Sequence, residues 1–145
     1  MRYRNDRQNI SSLPEEDFGP QPYTANLARQ TVRNPFFRTA RWTGEHLQLT
    51  LMSLLPGEDI GAETHPDTDQ LLYVESGFGL VRLGEDTPFR QIGPGYVIII
   101  PAGTFHNVIN TGRSAMKLFS VYAPPNHPHG TVHRTRQEAA EAEHA

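Results

Sequence analysis

Glu63 and His65 stand two residues apart, so on an extended strand both side chains leave the same face, close enough to share one ion. Gln70 opens the next apolar run, on the face of Leu72 and Val74. Much further along, Pro101-Ala102-Gly103 turns the chain into a segment carrying His106. Two imidazoles, a carboxylate and an amide oxygen are a donor set for a divalent transition metal: iron, zinc, manganese or nickel. Without cysteine among 145 residues, nitrogen and oxygen donors are the only ones available. Disulfides, thiolate catalysis and iron–sulfur clusters are thereby excluded. If Glu63 does not ligate, the same placement suits a general base.

The elements that must position these groups read as strands. Glycine and proline number twelve each, the punctuation of an all-β domain. Residues 36–43 form an early strand. Leu47, Leu49, Leu51 and Ser53 then alternate with His46, Gln48, Thr50 and Met52, and Pro56-Gly57 stops that strand. Residues 69–75, 78–83, 105–111 and 115–123 follow the same logic. Tyr96-Val97-Ile98-Ile99-Ile100 is a continuous apolar run, the pattern of a strand buried on both faces. Short strands at turn-punctuated spacing predict a sandwich or barrel.

With the strands in place, the spacing resembles the two motifs of the cupin superfamily. In the first, Gly57 is followed by five residues, Glu63-Thr64-His65, four residues, Gln70, six residues and Gly77. Glu63 stands where the pattern has a histidine, and Gln70 where it has a glutamate. In the second, Gly95, Pro101, Gly103, His106 and Asn110 match every fixed position. The resemblance implies an antiparallel jelly roll, a double-stranded β-helix, with Glu63, His65, Gln70 and His106 around a metal in its mouth. The longer pattern, from Trp42-Thr43-Gly44 through His65-Pro66-Asp67-Thr68-Asp69-Gln70 to Tyr122-Ala123-Pro124-Pro125, is similar to a bacterial subgroup described as mannose-6-phosphate-isomerase-like. Type I mannose-6-phosphate isomerases hold zinc with one Gln, one Glu and two His. The resemblance implies the same set here, with Gln and Glu exchanged.

The organisation expected is a flexible leader over 1–22, a domain over 23–133 with motifs at 57–77 and 95–110, and a tail over 134–145. Thr135 is placed to cap a short helix in that tail. The leader is read as having nothing to bury. Residues 23–35 and 124–133 are candidate arms for pairing two copies, with a closed homodimer as the default. His127, His129 and His133 lie among Pro124, Pro125 and Pro128 and read as an extended arm, wrapped or exposed, His46 as a loop or strand-face residue and His144 as part of the end. Phe36, Phe37 and Trp42 read as packing residues. Asp67 and Asp69 form a turn. Arg38, Arg41 and Arg82 are read as surface residues, the gripping of an anionic substrate being their alternative.

Thirteen basic against sixteen acidic residues, with the arginines scattered, gives no nucleic-acid footprint. No run is long and apolar enough for a membrane span, and the first residues lead into no signal-like stretch. A cytoplasmic protein with a small-molecule ligand is therefore expected. Three functions fit: a metal-dependent isomerase or lyase using the ion as Lewis acid, an Fe(II)-dependent dioxygenase, and a non-catalytic ligand-binding or assembly protein. The absence of a compact phosphate cradle speaks against a sugar phosphate as substrate.

Overall fold

Interior and rim divide along the strands of this chain because alternate residues change from apolar to polar partway up. The computed structural model describes residues 16–143. Among these residues nine strands succeed one another: β1 (Arg38–Thr43), β2 (Gln48–Leu54), β3 (Asp69–Ser76), β4 (Gly79–Leu83), β5 (Arg90–Ile92), β6 (Val97–Ile100), β7 (His106–Asn110), β8 (Met116–Ala123) and β9 (Val132–His133). They form two antiparallel sheets, ordered β6-β3-β8-β2-β1-β9 and β5-β4-β7. Residues 57–63 run beside β7 and extend the smaller sheet through bridges at Asp59–Ile109 and Glu63–His106. The result is an all-β jelly roll with a short C-terminal helix.

Register sorts the interior into rows. Leu54 lies opposite Met116, and Met52 opposite Leu118, itself opposite Val74. These side chains are fully buried, together with Ile98, Ile100 and Val108 from the other strands. Each such aliphatic side chain stabilises the fold by roughly 1.5–3 kcal/mol. Higher up, Thr50 faces Ser120, and Gln48 faces Tyr122, which faces Gln70. These five are buried as well, so the far end of the same interior is polar. Gly77 makes the corner from β3 to β4: its φ is +97°, and a Cβ would come within 2.7 Å of Met116 Cα. No other residue fits there.

Several expectations are revised. Val97 and Ile99 are 52% and 55% exposed, while Ile98 and Ile100 point inward. β6 is a sheet edge rather than a strand buried on both faces, and an apolar run looks the same in either case. Residues 27–33 of the expected arm form a helix, α1 (Leu27–Arg33), capped by Asn26, whose Oδ1 accepts from Arg29 N. It lies on β2, β3 and β8. The second expected arm, residues 124–133, returns to the large sheet and pairs with β1 as β9.

Residues 16–22 of the expected leader pack on β1. Asp17 is buried and accepts hydrogen bonds from Thr43 Oγ1, Gly19 N and Gly130 N. The rest of the leader and His144 lie outside the described residues. The tail helix α2 (Arg136–Glu143) starts where expected, with Glu138 N donating to Thr135 Oγ1. Packing, not length, stabilises it: Ala139 is buried in the core, and Arg136 grips Asp59 at 2.8 Å. No helix among the described residues is long and apolar enough to cross a membrane.

Candidate metal centre

Backbone pairing sets the centre. Glu63 N donates to His106 O at 3.1 Å, and His106 N donates to Glu63 O at 3.0 Å. Residues paired in this way project their side chains to one side, with Cα atoms about 5.5 Å apart. Glu63 Oε1 accordingly lies 3.8 Å from His106 Nε2. His65 Nε2 comes within 3.0 Å of the same oxygen but out of line for a hydrogen bond. Both Nε2 atoms are buried without a hydrogen-bond partner. One donor atom from each of the three residues falls within 4.8 Å of the others.

The surroundings fix which nitrogen is free. His106 Nδ1 is 2.9 Å from Thr104 O, a carbonyl that can only accept, so the proton sits on Nδ1 and the Nε2 lone pair faces Glu63. Burial holds this imidazole below its ordinary pKa, and the Thr104 bond and the Glu63 charge offset that only in part. The turn delivering His106 is pinned twice: Ala102 N donates to Asp69 Oδ1 and Gly103 N to His65 O, each at 2.8 Å. At the other end of β7, buried Asn110 donates to Leu54 O and Ser114 O and accepts from Gly112 N. The second motif is therefore a frame for one histidine.

Gln70 is 3% exposed, and its Nε2 donates to Ser120 Oγ at 2.9 Å. That bond leaves Oε1 buried with no partner. Its cross-strand neighbour Tyr122 presents its ring edge-on to His65, with centroids 5.9 Å apart. Two buried imidazole Nε2 atoms without partners and a carboxylate fit a divalent ion. These three residues form the candidate metal site.

Other expected residues go elsewhere. His129 is exposed beside Asp17, at 3.3 Å, and His46 is exposed beside Glu45. Phe37 is in the core, Phe36 lies under the Arg134 guanidinium, and Trp42 Nε1 donates to Gln21 O. Arg82 stacks over Phe89. Arg38 and Arg41, read as surface residues, are each 3% exposed. His127 and His133 lie on an arm that wraps back onto the sheet. His127 Nε2 approaches Tyr122 Oη at 3.4 Å, and His133 Nδ1 meets Arg38 Nη1 at 3.0 Å. Burial and then the Arg38 charge push the His127 pKa down to about 3.

Gln48 holds this wall in place. Its Oε1 accepts the backbone N–H groups of Asn126 and His127, while its Nε2 donates to His127 O and Thr43 Oγ1. The alternation of β2 already places Gln48 and Thr50 on the face of buried Met52, a signal for a polar interior. Nothing local marks Arg38 or the long return of residues 124–133.

A double-stranded β-helix that gathers two imidazoles and a carboxylate at one end is the architecture of the cupins. This chain belongs to that family, whose "Cupin domain" model matches residues 50–122. It is 52% identical over 132 residues to the Bacillus subtilis protein YrkC, covering 88% of this chain and 71% of that one. It is 38% identical over 121 residues to protein L612 of Acanthamoeba polyphaga mimivirus, covering 82% and 76%. Among solved structures, BH2720 from Bacillus halodurans superposes with a TM-score of 0.85 at 52% identity, covering 87% of this chain and 98% of that one.

Proposed function

We propose that this cupin is a metal-dependent enzyme of isomerase or lyase type acting on a small polar organic molecule. The observation that carries the reading is the pair of buried Nε2 atoms, of His65 and His106, that share one carboxylate and have no hydrogen-bond partner. Glu63, His65 and His106 would hold the ion, with Gln70 Oε1 as a fourth donor. The resemblance to the mannose-6-phosphate-isomerase-like subgroup supports that fourth assignment. When bound, the ion supplies a Lewis acid for a carbonyl or hydroxyl oxygen.

The chain's own groups do the remaining work. Glu63 is the exposed member of the triad, its side chain 24% accessible, so substrate reaches it first. Where it does not ligate the ion, its carboxylate is placed to take and return a proton at a carbon or hydroxyl next to the held oxygen. His65 and His106 serve as nitrogen donors, and the buried Tyr122 walls the site off from water.

Two histidines and one carboxylate are also the donor set of non-haem Fe(II) oxygenases, and this set is the observation behind a second reading. Elemental analysis of the purified protein, followed by oxygen-uptake measurements, separates the two. Zinc or manganese near one per chain with no oxygen consumption supports an isomerase or lyase. Iron with substrate-dependent oxygen consumption supports the dioxygenase. Purified protein that holds no divalent metal, and takes up none, rejects both.

The assembly proposed is a closed homodimer. Val97 and Ile99, with Tyr96 just before them, put apolar surface at edge strand β6, where a second copy of the same edge would cover it. Size-exclusion chromatography with light scattering tests it, and a monomer at micromolar concentration rejects it.

A further inference from the structure

Arg38 is a buried cation whose hydrogen-bond partner Tyr122 packs against His65 of the metal centre. It stands on β1 opposite Met52 and is 3% exposed. Taking a guanidinium out of water is costly unless a charge or a full set of acceptors meets it. Arg38 has neither. Nη1 bonds His133 Nδ1, a second bond goes to the Tyr122 phenol, and Phe37 lies 5.2 Å beneath the group. Nε is buried without an acceptor. Among the described residues no carboxylate forms an ion pair with it. Its direct partners His133 and Tyr122 bring no charge to it, and Glu138 and Glu143, whose charges reach His133, form no ion pair with it. Thr50 Oγ1, one row from Tyr122, is likewise buried and unpartnered.

Arg38 also borders a space. A cavity of about 320 Å³ is lined by Arg38, Phe37, Ile60, Ala62 and Arg136, with Glu143 of α2 at its side. Ala62 is the neighbour of Glu63, and the phenol that bonds Arg38 belongs to the ring that packs against His65. The second charged wall, Arg136, is already matched by Asp59. With an ion on the triad, one carboxylate would face a divalent cation and a guanidinium. A buried guanidinium with an open Nε–H and no ion pair, at the edge of a space that Glu143 borders without reaching it, suits an anionic ligand.

We infer that Arg38 is a substrate-binding residue that receives a carboxylate, making the substrate a small hydroxy- or oxo-acid whose neighbouring oxygen faces Glu63, His65 and His106. The carboxylate supplies the acceptors that the guanidinium lacks, and Tyr122 keeps the guanidinium in position. Arginine suits this role better than lysine because its planar fork meets both carboxylate oxygens. The inference rests on the metal-dependent reading above and names the substrate class for it.

The test is calorimetric titration of zinc-loaded full-length protein with L-lactate and malonate, with lactamide as the uncharged control. The carboxylates are expected to bind with dissociation constants of about 1 mM or tighter. Arg38→Lys is expected to weaken them about tenfold or more while zinc affinity stays within about twofold. Should Arg38→Lys fold poorly, the wild-type Nε–H resonance of Arg38 serves instead, shifting with lactate and not with lactamide. Equal carboxylate affinity in wild type and variant, equal binding of lactamide, or no carboxylate binding overturns the inference. Zinc uptake without carboxylate binding rejects Arg38 alone. Carboxylate binding that depends on Arg38 in a protein taking up no zinc rejects the metal reading alone.

Discussion

Glu63 and His106 are partners twice over: their peptide groups exchange two hydrogen bonds, and their side chains meet 3.8 Å apart on the same side of the sheet. Because the backbone bonds do not involve the side chains, either residue can be substituted without moving the other's Cα. Glu63→Gln and His106→Ala should therefore fold, yet bind zinc about 100-fold or more weakly, beyond the usual loss from an outer-shell substitution. Zinc should raise the melting temperature of the wild type and leave that of His106→Ala unchanged. Inductively coupled plasma analysis and thermal melts check both.

Ser120 orients Gln70. Its Oγ accepts the amide N–H and so turns Oε1 away from Ser120, toward no protein partner. Ser120→Ala frees that amide to flip, and zinc affinity should fall about 10- to 100-fold if Oε1 is a ligand. Affinity unchanged in both Ser120→Ala and Gln70→Ala would remove Gln70 from the donor set.

Gln48 is a stability hub. Gln48→Ala strips acceptors from two backbone N–H groups, those of Asn126 and His127. The expected loss is about 2–4 kcal/mol, read by urea or thermal denaturation. A loss under about 0.5 kcal/mol would mean that the 126–127 loop finds other partners.

Asp59 gives the docking of α2 a pH dependence. Burial alone would raise its pKa, but the hydrogen bonds from Asn107 and Arg136, with the Arg136 charge, bring it below its ordinary 3.8. A depressed folded-state pKa contributes stability above the unfolded value and loses it as pH falls through the folded one. The pair is part-exposed, so the contribution is about 1 kcal/mol or less. Melting temperature followed from pH 5 downward should fall more steeply below about pH 4 in the wild type than in Asp59→Asn. Parallel curves would contradict this.

The residues carry much of this in their spacing. Gly57, Gly77, Gly95, Pro101 and Gly103 sit at corners that the local backbone demands, and Glu63, His65 and His106 converge as strand geometry requires. What the spacing did not show depends on contacts distant in sequence. Arg38 looks like any surface arginine until β9 brings His133 beside it, 95 residues on. The run Val97–Ile100 hides its edge position, because hydrophobicity does not say which strand comes next in the sheet. Asp17, in a polar segment, becomes buried only through Thr43 and Gly130. Short-range pattern locates elements and ligands; the walls of the pocket come from chain closure.

That closure orders events during synthesis. The residues of the candidate metal site are all translated by position 106, yet the wall behind them needs His127, β9 at 132–133 and Ala139. A nascent chain can thus present the triad to solvent before Arg38 and Tyr122 acquire His133 and His127 as neighbours. If the triad holds an ion, its capture and the closing of the wall around Arg38 are separable steps, and the second waits for β9.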